Sequence, residues 1–286
     1  PKMTPTLWPS REIVSHLGEK PQPRKTPETP RAPAYPVEEI YGLISRDPKV
    51  PTDNREIVAR LVDESDFHEF KPLYGDTIMT GWGRIHGHEV GILANTGVLF
   101  VEAALKATHF INLCVQRDIP LLFLADVNGF MVGREVEQMG IAKAGAKMIT
   151  AMSSARVPKF TIITGGSYGA GYLAMLGRPF QPDAMFAWPT GRSAIMGPEQ
   201  AASVLAQVRA QINEREGRNW TAEEEEAFKA PIREEYEDFQ GAYNFASNLW
   251  IDSVIEPCET RDVMALMLDV TSRRPKVETN FGVFRM

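Results

Sequence analysis

The stretch VPKFTIITGGSYGAGYLAM, residues 157–175, decides the fold of this chain. A β-rich apolar run at 160–163 leads into glycines at 165, 166, 169 and 171, and good helix formers follow from Tyr172. This pattern predicts a buried strand, a tight glycine turn and a helix N-terminus. Glycine lets the backbone approach a ligand closely, and the first N–H groups of a helix have no intrahelical acceptor. The stretch therefore predicts a site for a negatively charged oxygen.

Composition narrows the class of protein. The chain has 286 residues, 43% of them hydrophobic and 24% charged, as is usual for globular proteins of one large or two small domains. The net charge of −6 excludes a basic field for nucleic acid or an anionic membrane. No apolar run approaches ~20 residues, so no transmembrane helix is expected. The two cysteines and the absence of a signal peptide in this sequence predict a reducing compartment, the cytoplasm or the mitochondrial matrix.

The order of predicted elements indicates an α/β protein. Residues 1–36 end in a proline-rich segment that is expected to run extended over a surface or as a linker between units, or else to be a disordered tail. The folded domain is expected to occupy 37–286. The order is β-β-α, β-α, β-α, β-β-α and then helices. The predicted strands are two around Gly87, then 121–125, 160–163, 184–187 and 193–195. The predicted helices are 11–17, 37–44, 55–63, 103–116, 136–155, 198–214, 243–250 and 260–269, with an exposed charged hairpin at 214–237.

Three kinds of side-chain chemistry find little support in the sequence. Ser167 lies in a G-x-S-x-G pattern between a strand and a helix, as in the nucleophile elbow of hydrolases. In that fold the histidine follows the serine, whereas all five histidines here precede Ser167. The glycine spacing does not match the dinucleotide fingerprint. His86 and His88 alternate along a predicted strand without a third metal ligand nearby, which favours a solvated strand face.

A site made of backbone N–H groups is compatible with this lack of side-chain candidates. If Ala170 and Gly171 begin the helix, their N–H groups can stabilise an enolate-type oxygen, and one such donor is worth about 10²–10³ in rate. The alternative is that these glycines only allow close helix packing. The residues themselves leave both interpretations open.

Several stretches together resemble a known family. They are GILANTGVLF (91–100), THFINLCVQRDIPLLFLADVNGFMVGREVEQMGIAKAGAKM (108–148), residues 157–175, WPTGRSAIMGPEQAA (188–202), the insert at 213–232 and the terminal FGVFRM. They are similar to the C-terminal domain of the β subunit, the carboxyltransferase, of biotin-dependent acyl-CoA carboxylases. The branch that the chain most resembles is that of methylcrotonyl-CoA and geranyl-CoA carboxylase.

The resemblance implies a fold, a reaction and a site. The fold is crotonase-like (the ClpP/crotonase class), built from ββα units, and the reaction moves a carboxyl group from carboxybiotin to an acyl-CoA. The family's backbone donors for biotin's ureido oxygen correspond to Ala170 and Gly171. Cofactor-binding residues implied around them are Gly165, Gly166, Gly169, Phe130, Met131 and Gly133.

The same resemblance implies partners. They are an N-terminal carboxyltransferase domain or subunit, a biotin carboxylase and a biotin carrier subunit, in a homo- or hetero-oligomer. Two other interpretations keep the fold. One is a crotonase-type decarboxylase or hydratase that uses Glu135 or Glu137, and the other is a non-catalytic half-subunit that serves assembly.

Overall fold

A mixed sheet organises the molecule. The computed structural model describes residues 27–45, 50, 52–218 and 220–282, so the predicted helix at 11–17 and the last four residues lie outside the described residues. Within that part of the chain the sheet has nine strands. They are β1 (His68–Glu69), β2 (Ile78–Ile85), β3 (His88–Asn95), β4 (Gly97–Leu99), β5 (Leu121–Phe130), β6 (Lys159–Tyr168), β7 (Ala184–Ala187), β8 (Arg192–Ala194) and β9 (Ser253–Val254).

Strand order brings several strand ends to one edge. The order is β1-β2-β3-β5-β6-β7-β9, with β4 beside β5 and β8 beside β6. The first three strands are antiparallel, and from β3 to β9 the pairing is parallel. The carboxyl ends of β3, β5 and β6 therefore meet at the same edge, where loops and helix starts can form a site.

Helices cover both faces of the sheet, as the predicted ββα order requires. The described α-helices are α1 (Ile40–Leu43), α2 (Asn54–Leu61), α3 (Val101–Gln116), α4 (Arg134–Gln138), α5 (Ile141–Ser154), α6 (Gly169–Ala174), α7 (Pro198–Arg215), α8 (Ala222–Phe239), α9 (Ala242–Ser247) and α10 (Thr260–Ser272). Residues of α3, α5 and α6 share one core cluster with alternate side chains of β5. Residues of α1, α2 and α10 form the second core cluster with the remaining buried side chains of β5.

Strand β5 shows why its sequence is apolar without alternation. Leu121 and Phe123 face the first cluster, whereas Leu122 and Leu124 face the second. All four side chains are fully buried. A strand that is buried on both faces has a continuous apolar sequence, and the run at 121–125 predicts such a strand.

Several predicted boundaries were wrong. Strand β5 continues to Phe130, where a loop from residue 127 was expected. Strand β6 continues to Tyr168, and the helix begins at Gly169 rather than Tyr172. The predicted helix 136–155 is two helices, because Gly140 between them adopts a left-handed conformation with φ +88°. Periodicity alone does not detect such a break.

The charged segment 214–237 is not a hairpin by itself, as was predicted, because it holds the end of α7, a connection and most of the single helix α8. Helices α7 and α8 together form the hairpin. Thr221 caps α8 with its side chain, and Glu224 returns the hydrogen bond to the Thr221 amide. Helix α8 has no buried residue among those described. Three alanines of α7 are buried, whereas its larger apolar side chains are exposed, with Val208 half exposed. The hairpin therefore projects from the sheet.

The described part of the proline-rich segment lies against the domain. The Glu28 amide donates to the Gly87 carbonyl at 3.0 Å, and the Ala32 carbonyl accepts from the Glu64 amide at 3.0 Å. The extended course of this segment and the domain boundary at residue 37 stay predictions. Among the described helices we find none long and apolar enough to cross a membrane.

Candidate functional site

A bulge between β5 and β6 shapes the edge of the sheet. Ala125 pairs with Ile163 and Val127 pairs with Ser167, so Thr164, Gly165 and Gly166 stand opposite the single residue Asp126. Such bulges bend a strand and change the direction of the chain beyond them. Here the strand leads directly into α6.

Hydrogen bonds hold this bulge in place. The Gly166 amide donates to Asp126 Oδ1 at 2.8 Å. The Thr164 hydroxyl donates to the Ala125 carbonyl at 3.2 Å, and the Thr164 carbonyl accepts from the Thr190 hydroxyl at 2.9 Å. A Cβ on Gly165 would collide with the Asp126 carboxylate. Gly165 and Gly166 therefore belong to the strand bulge, and not to the turn that the sequence predicted.

Helix α6 begins where the predicted donors lie. Gly169 is its first residue and has φ +53°, and a Cβ there would stand 2.8 Å from the Ile195 carbonyl oxygen. Ala170 and Gly171 are the second and third residues, whose N–H groups have no acceptor within the helix. Ala170 is exposed and Gly171 is buried. Both predicted donors therefore lie in the first turn of the helix.

The alternative of close packing also applies to Gly171. A Cβ on Gly171 would stand 2.5 Å from Val127 Cγ2 and 2.9 Å from the Cα of Gly129. This contact brings the start of α6 against the end of β5. The contact concerns the α-carbon of Gly171 and not its amide, so both interpretations stay compatible with the structure.

The three residues predicted from the loop after β5 lie nearby but differ in exposure. The Phe130 ring faces α5, where a Cβ on Gly145 would stand 3.2 Å from it. The Met131 amide donates to the Leu99 carbonyl at 2.9 Å. Gly133 is exposed at the start of α4, with φ +136°. The Met131 amide therefore already has an acceptor and is not available as a donor to a ligand.

A cavity of about 750 Å³ opens on one side of the bulge. Gly165 and Gly166 line it, whereas Ala170, Gly171 and Phe130 do not. The predicted residues are thus divided between the cavity and the start of α6. Other lining residues were not predicted as site residues, and they include Asp126, Asn128, Tyr168, Thr190 and Arg192.

Asp126 is the most unusual of the lining residues. Burial raises the pKa of its carboxyl group, and the hydrogen bond from Gly166 opposes that rise. The signal in the sequence was a single carboxylate within the apolar run 119–127. Near it, the Tyr168 hydroxyl donates to Gln240 Oε1 at 2.7 Å, and burial raises the pKa of Tyr168.

The side chains of the competing hypotheses lie in different environments. Ser167 is 1% exposed, and its hydroxyl has no hydrogen-bond partner among the described residues. Glu135 and Glu137 are exposed on α4. His86 lies in the β2–β3 turn with φ +47°, not on a strand with His88 as predicted. In the described part of the chain no three His, Cys, Asp or Glu residues are placed to hold a metal ion.

The chain is similar in sequence and in structure to known proteins. The chain is 53% identical over 254 residues to the "Biotin-dependent 3-methylcrotonyl-coenzyme A carboxylase beta1 subunit" of Mycobacterium tuberculosis, which covers 89% of this chain and 48% of that protein. It is 52% identical over 256 residues to the mitochondrial methylcrotonoyl-CoA carboxylase beta chain of Arabidopsis thaliana. That match covers 90% of this chain and 44% of the relative. The crystal structure of the P. aeruginosa geranyl-CoA carboxylase beta subunit superposes on this chain with a TM-score of 0.84 at 39% identity. The superposition covers 97% of this chain and 53% of that subunit.

These matches confirm the predicted crotonase-like fold and the predicted branch. The chain spans about half the length of the relatives that it matches. A family model described as "Carboxyl transferase domain" matches residues 7–284, nearly the whole chain. This match shows that the chain belongs to the carboxyl transferase domain family.

Proposed function

We propose that this chain is the carboxyltransferase component of a biotin-dependent acyl-CoA carboxylase. It moves a carboxyl group from carboxybiotin, held by a partner carrier, to an acyl-CoA related to methylcrotonyl-CoA. The relatives named for this activity support the reaction and the substrate class. In this proposal the chain supplies the biotin-side half of the active site.

One observation carries the proposal. Ala170 and Gly171 present two successive N–H groups in the first turn of α6, and Gly171 lies against Gly129 with no room for a side chain. When bound, biotin supplies the transferable carboxyl group and a ureido oxygen that bears negative charge during transfer. Two fixed N–H donors suit such an oxygen, because they need no reorganisation as charge develops. The residues present therefore fit the cofactor.

The remaining predicted residues have supporting roles in this proposal. Gly169 sets the entry angle of α6 through its positive φ. The bulge at Gly165 and Gly166 directs β6 toward that helix. Phe130, Met131 and Gly133 border the approach to it. None of these roles needs a side chain that gains or loses a proton.

The proposed partners complete the half-site. An N-terminal carboxyltransferase domain or subunit would supply the acyl-CoA side, and a biotin carboxylase and a biotin carrier would deliver the carboxyl group. A homo- or hetero-oligomer would bring these parts together. We place the reaction in the cytoplasm, or in the mitochondrial matrix in a eukaryote, as the mitochondrial relative suggests.

The test removes one N–H group. In Ala170→Pro the ring replaces the amide hydrogen at the second helix position, where proline is tolerated because that amide has no intrahelical acceptor. Assayed in the complete carboxylase with 3-methylcrotonyl-CoA and labelled bicarbonate, the variant is expected to lose about 10²–10³ in carboxylation rate. A folded variant at the full rate would show that the Ala170 amide is not a donor.

A matched control and a second variant keep this test decisive. Ala222→Pro places the same ring at the exposed start of α8 and is expected to keep the wild-type rate. If Ala170→Pro does not fold, an α-hydroxy acid at position 170 replaces the amide by an ester and removes only the N–H. Its rate then decides the assignment.

A further inference from the structure

A proline-rich segment crosses the turn between β2 and β3. Its prolines stand at positions 27, 30, 33 and 36, one in every three residues. This period equals one turn of a polyproline helix, so the pattern predicts that the four rings share one side of the segment. The amides between the prolines are able to donate hydrogen bonds.

The segment lies directly on Gly87 in that turn. The Glu28 amide donates to the Gly87 carbonyl at 3.0 Å. Gly87 has φ +79°, and a Cβ there would collide with the Glu28 carbonyl oxygen. Glycine is therefore required where the segment passes. The turn lies at the amino end of β3, which is the edge opposite to the bulge because β3 and β5 are parallel.

Three other backbone groups of the segment have polar partners in the domain. The contacts are from Arg261 to the Arg31 carbonyl at 2.5 Å, from the Glu64 amide to the Ala32 carbonyl at 3.0 Å, and from the Ala34 amide to Ser65 Oγ at 2.9 Å. A proline at residue 28 or 34 would have no N–H to donate. The domain therefore recognises the backbone of the segment and two positions at which proline is absent.

The partners of the segment are joined to one another through Asp63. Its buried carboxylate accepts from the His86 amide at 3.0 Å and from the Gly87 amide at 2.7 Å. It also forms an ion pair with Arg261. Asp63 thus holds together several groups that contact the segment, through bonds that do not involve the segment itself.

The turn that follows Asp63 is strained. Glu64 and Ser65 have φ +55° and +56°, which is uncommon for residues with a side chain. In this conformation the Glu64 amide and the Ser65 hydroxyl both contact the segment. Strained backbone of this kind occurs preferentially at binding and switch regions. We call residues 63–65, 84–87 and Arg261 the receptor surface.

The segment contributes little to the core. None of residues 27–35 is buried, and only Pro27 and Pro33 are partly covered. The ion pairs that it forms with the receptor surface are between exposed side chains, and such pairs contribute little to stability. They are Glu28 with Arg84 at 2.8 Å and Arg31 with Glu64 at 2.6 Å.

The start of the segment is also loosely packed. A cavity of about 130 Å³ lies between it and the domain. Pro27 and Glu28 line one side, and His88, Pro120 and Leu268 line the other. A region with few buried apolar contacts opens at a lower cost than the core does. The segment is thus held by directed hydrogen bonds rather than by burial.

We propose that the receptor surface is a peptide-binding site, and that residues 27–35 occupy it reversibly while the rest of the domain stays folded. Its ligand is a proline-rich peptide with free amides at the positions of Glu28 and Ala34. Proline restricts the free peptide, so less conformational entropy is lost on binding. A peptide of this class takes the site when the chain's own segment has left. The site lies at the edge opposite to the bulge and does not depend on the proposed function.

Hydrogen exchange in the full chain tests reversible docking. In the wild type the Glu28 amide is expected to be protected, and to exchange at least about 10²-fold faster than the amides of β5. Ala34→Pro removes the N–H that donates to Ser65. It should speed exchange at Glu28 by about 2- to 10-fold, because one hydrogen bond of the docked segment is lost. Exchange in β5 should not change.

Ala32→Pro is the matched control, since the Ala32 amide donates to no described residue. It should leave exchange at Glu28 as in the wild type. Three results would reject docking of the segment as one unit. They are an unprotected Glu28 amide, exchange at Glu28 and β5 at the same rate, and an equal response of Glu28 to both prolines.

A synthetic peptide tests the site in trans. In one variant of the full chain, glycine and serine replace residues 28–35, which leaves the receptor surface without its segment. A peptide of residues 27–36 should bind this variant at millimolar concentration or below and shift the NMR signals of the Glu64 and Gly87 amides. The wild type should bind it at least about 10-fold more weakly, because its own segment competes at a high effective concentration.

The same peptide carrying Ala34→Pro is the control ligand. It should bind about 2- to 10-fold more weakly than the native peptide, because it lacks one donor. Equal affinity of the two peptides, or no binding of the native peptide to the folded variant, would overturn the site. Failure of that variant to fold would also contradict the proposal, because the domain would then depend on the docked segment.

Discussion

Gly171 of α6 lies against Val127 of β5, and a Cβ on Gly171 would stand 2.5 Å from Val127 Cγ2. This contact joins the helix that carries the proposed donors to the strand that carries Asp126. The position of the Ala170 and Gly171 amides therefore depends on the distance between α6 and β5. Any side chain at residue 171 has to push the two elements apart.

Gly171→Ala is expected to reduce both stability and carboxyl transfer. Overpacking against Val127 and Gly129 should lower the free energy of unfolding by about 1–3 kcal/mol, since neither neighbour can move without shifting β5. The displaced amides should lower the carboxylation rate at temperatures where the variant is folded. Urea unfolding and the assay of the complete carboxylase measure the two effects.

Gly42→Ala is the matched control for that substitution. Gly42 lies in α1 with nothing within 4 Å of a Cβ, so alanine should stabilise the helix slightly, by about 0.5–1 kcal/mol. Wild-type stability in Gly171→Ala would mean that the contact between α6 and β5 is loose.

Ser167→Ala separates carboxyl transfer from a hydrolase mechanism. The Ser167 hydroxyl is buried and without a partner among the described residues, so its loss should leave stability unchanged or slightly raised. We expect the carboxylation rate to stay near that of the wild type. A loss of more than about 10²-fold in a folded variant would support a nucleophilic serine instead.

The sequence predicted most of the fold because its signals are local. The buried run of β5, the Asp53 cap of α2 and the Pro198 start of α7 are each visible within a few residues. The glycines at 169 and 171 likewise predicted a backbone site at a helix start. Family resemblance then assigned the chemistry, which neither composition nor spacing had decided.

The bulge could not be predicted, because it depends on pairing between distant strands. Gly165 and Gly166 resemble a turn in the sequence, whereas in β6 the Gly166 amide donates to the Asp126 carboxylate, about 40 residues earlier. The hydrogen bond from the Asn95 side chain to the Asp126 carbonyl likewise joins two strands that are distant in the sequence. The cavity therefore became visible only in three dimensions.

Arg261→Met is expected to be strongly destabilising. Arg261 in α10 forms an ion pair with Asp63, in which both side chains are less than a tenth exposed, and it also donates to the Leu61 carbonyl at 2.7 Å. Removing it leaves a buried carboxylate without its cation, which costs about 3–5 kcal/mol. Because Arg261 also donates to the Arg31 carbonyl, limited proteolysis should cut residues 27–36 more readily.

Two further variants test the electrostatic origin of that loss. Asp63→Asn added to Arg261→Met should recover part of the stability, because the unpaired charge is gone. Arg84→Met removes an ion pair with Glu28 in which both side chains are exposed, and it should cost less than about 1 kcal/mol. Equal costs for Arg261→Met and Arg84→Met would contradict the assigned role of burial.

Lys159 should make the stability of the protein depend on pH in the alkaline range. Its ammonium group donates to the Met152 carbonyl at 2.9 Å, and burial lowers its pKa to about 8 against the opposing effect of Asp183. In the unfolded chain this lysine titrates near 10.5. Between these two values the unfolded state binds more protons, so the free energy of unfolding rises with pH. Below about 8 the cost of the buried charge is fully present.

Comparison with Lys159→Met isolates this contribution. The stability of the wild type minus that of the variant should increase by an amount on the order of 3 kcal/mol between pH 8 and 10.5, and should be flat below pH 8. Urea unfolding at half-unit steps of pH measures the difference. Lys143→Met removes an exposed lysine from α5 and should show no such rise. A difference that is flat across the whole range would mean that the folded protein does not disfavour the Lys159 ammonium, because proton linkage then makes no net contribution.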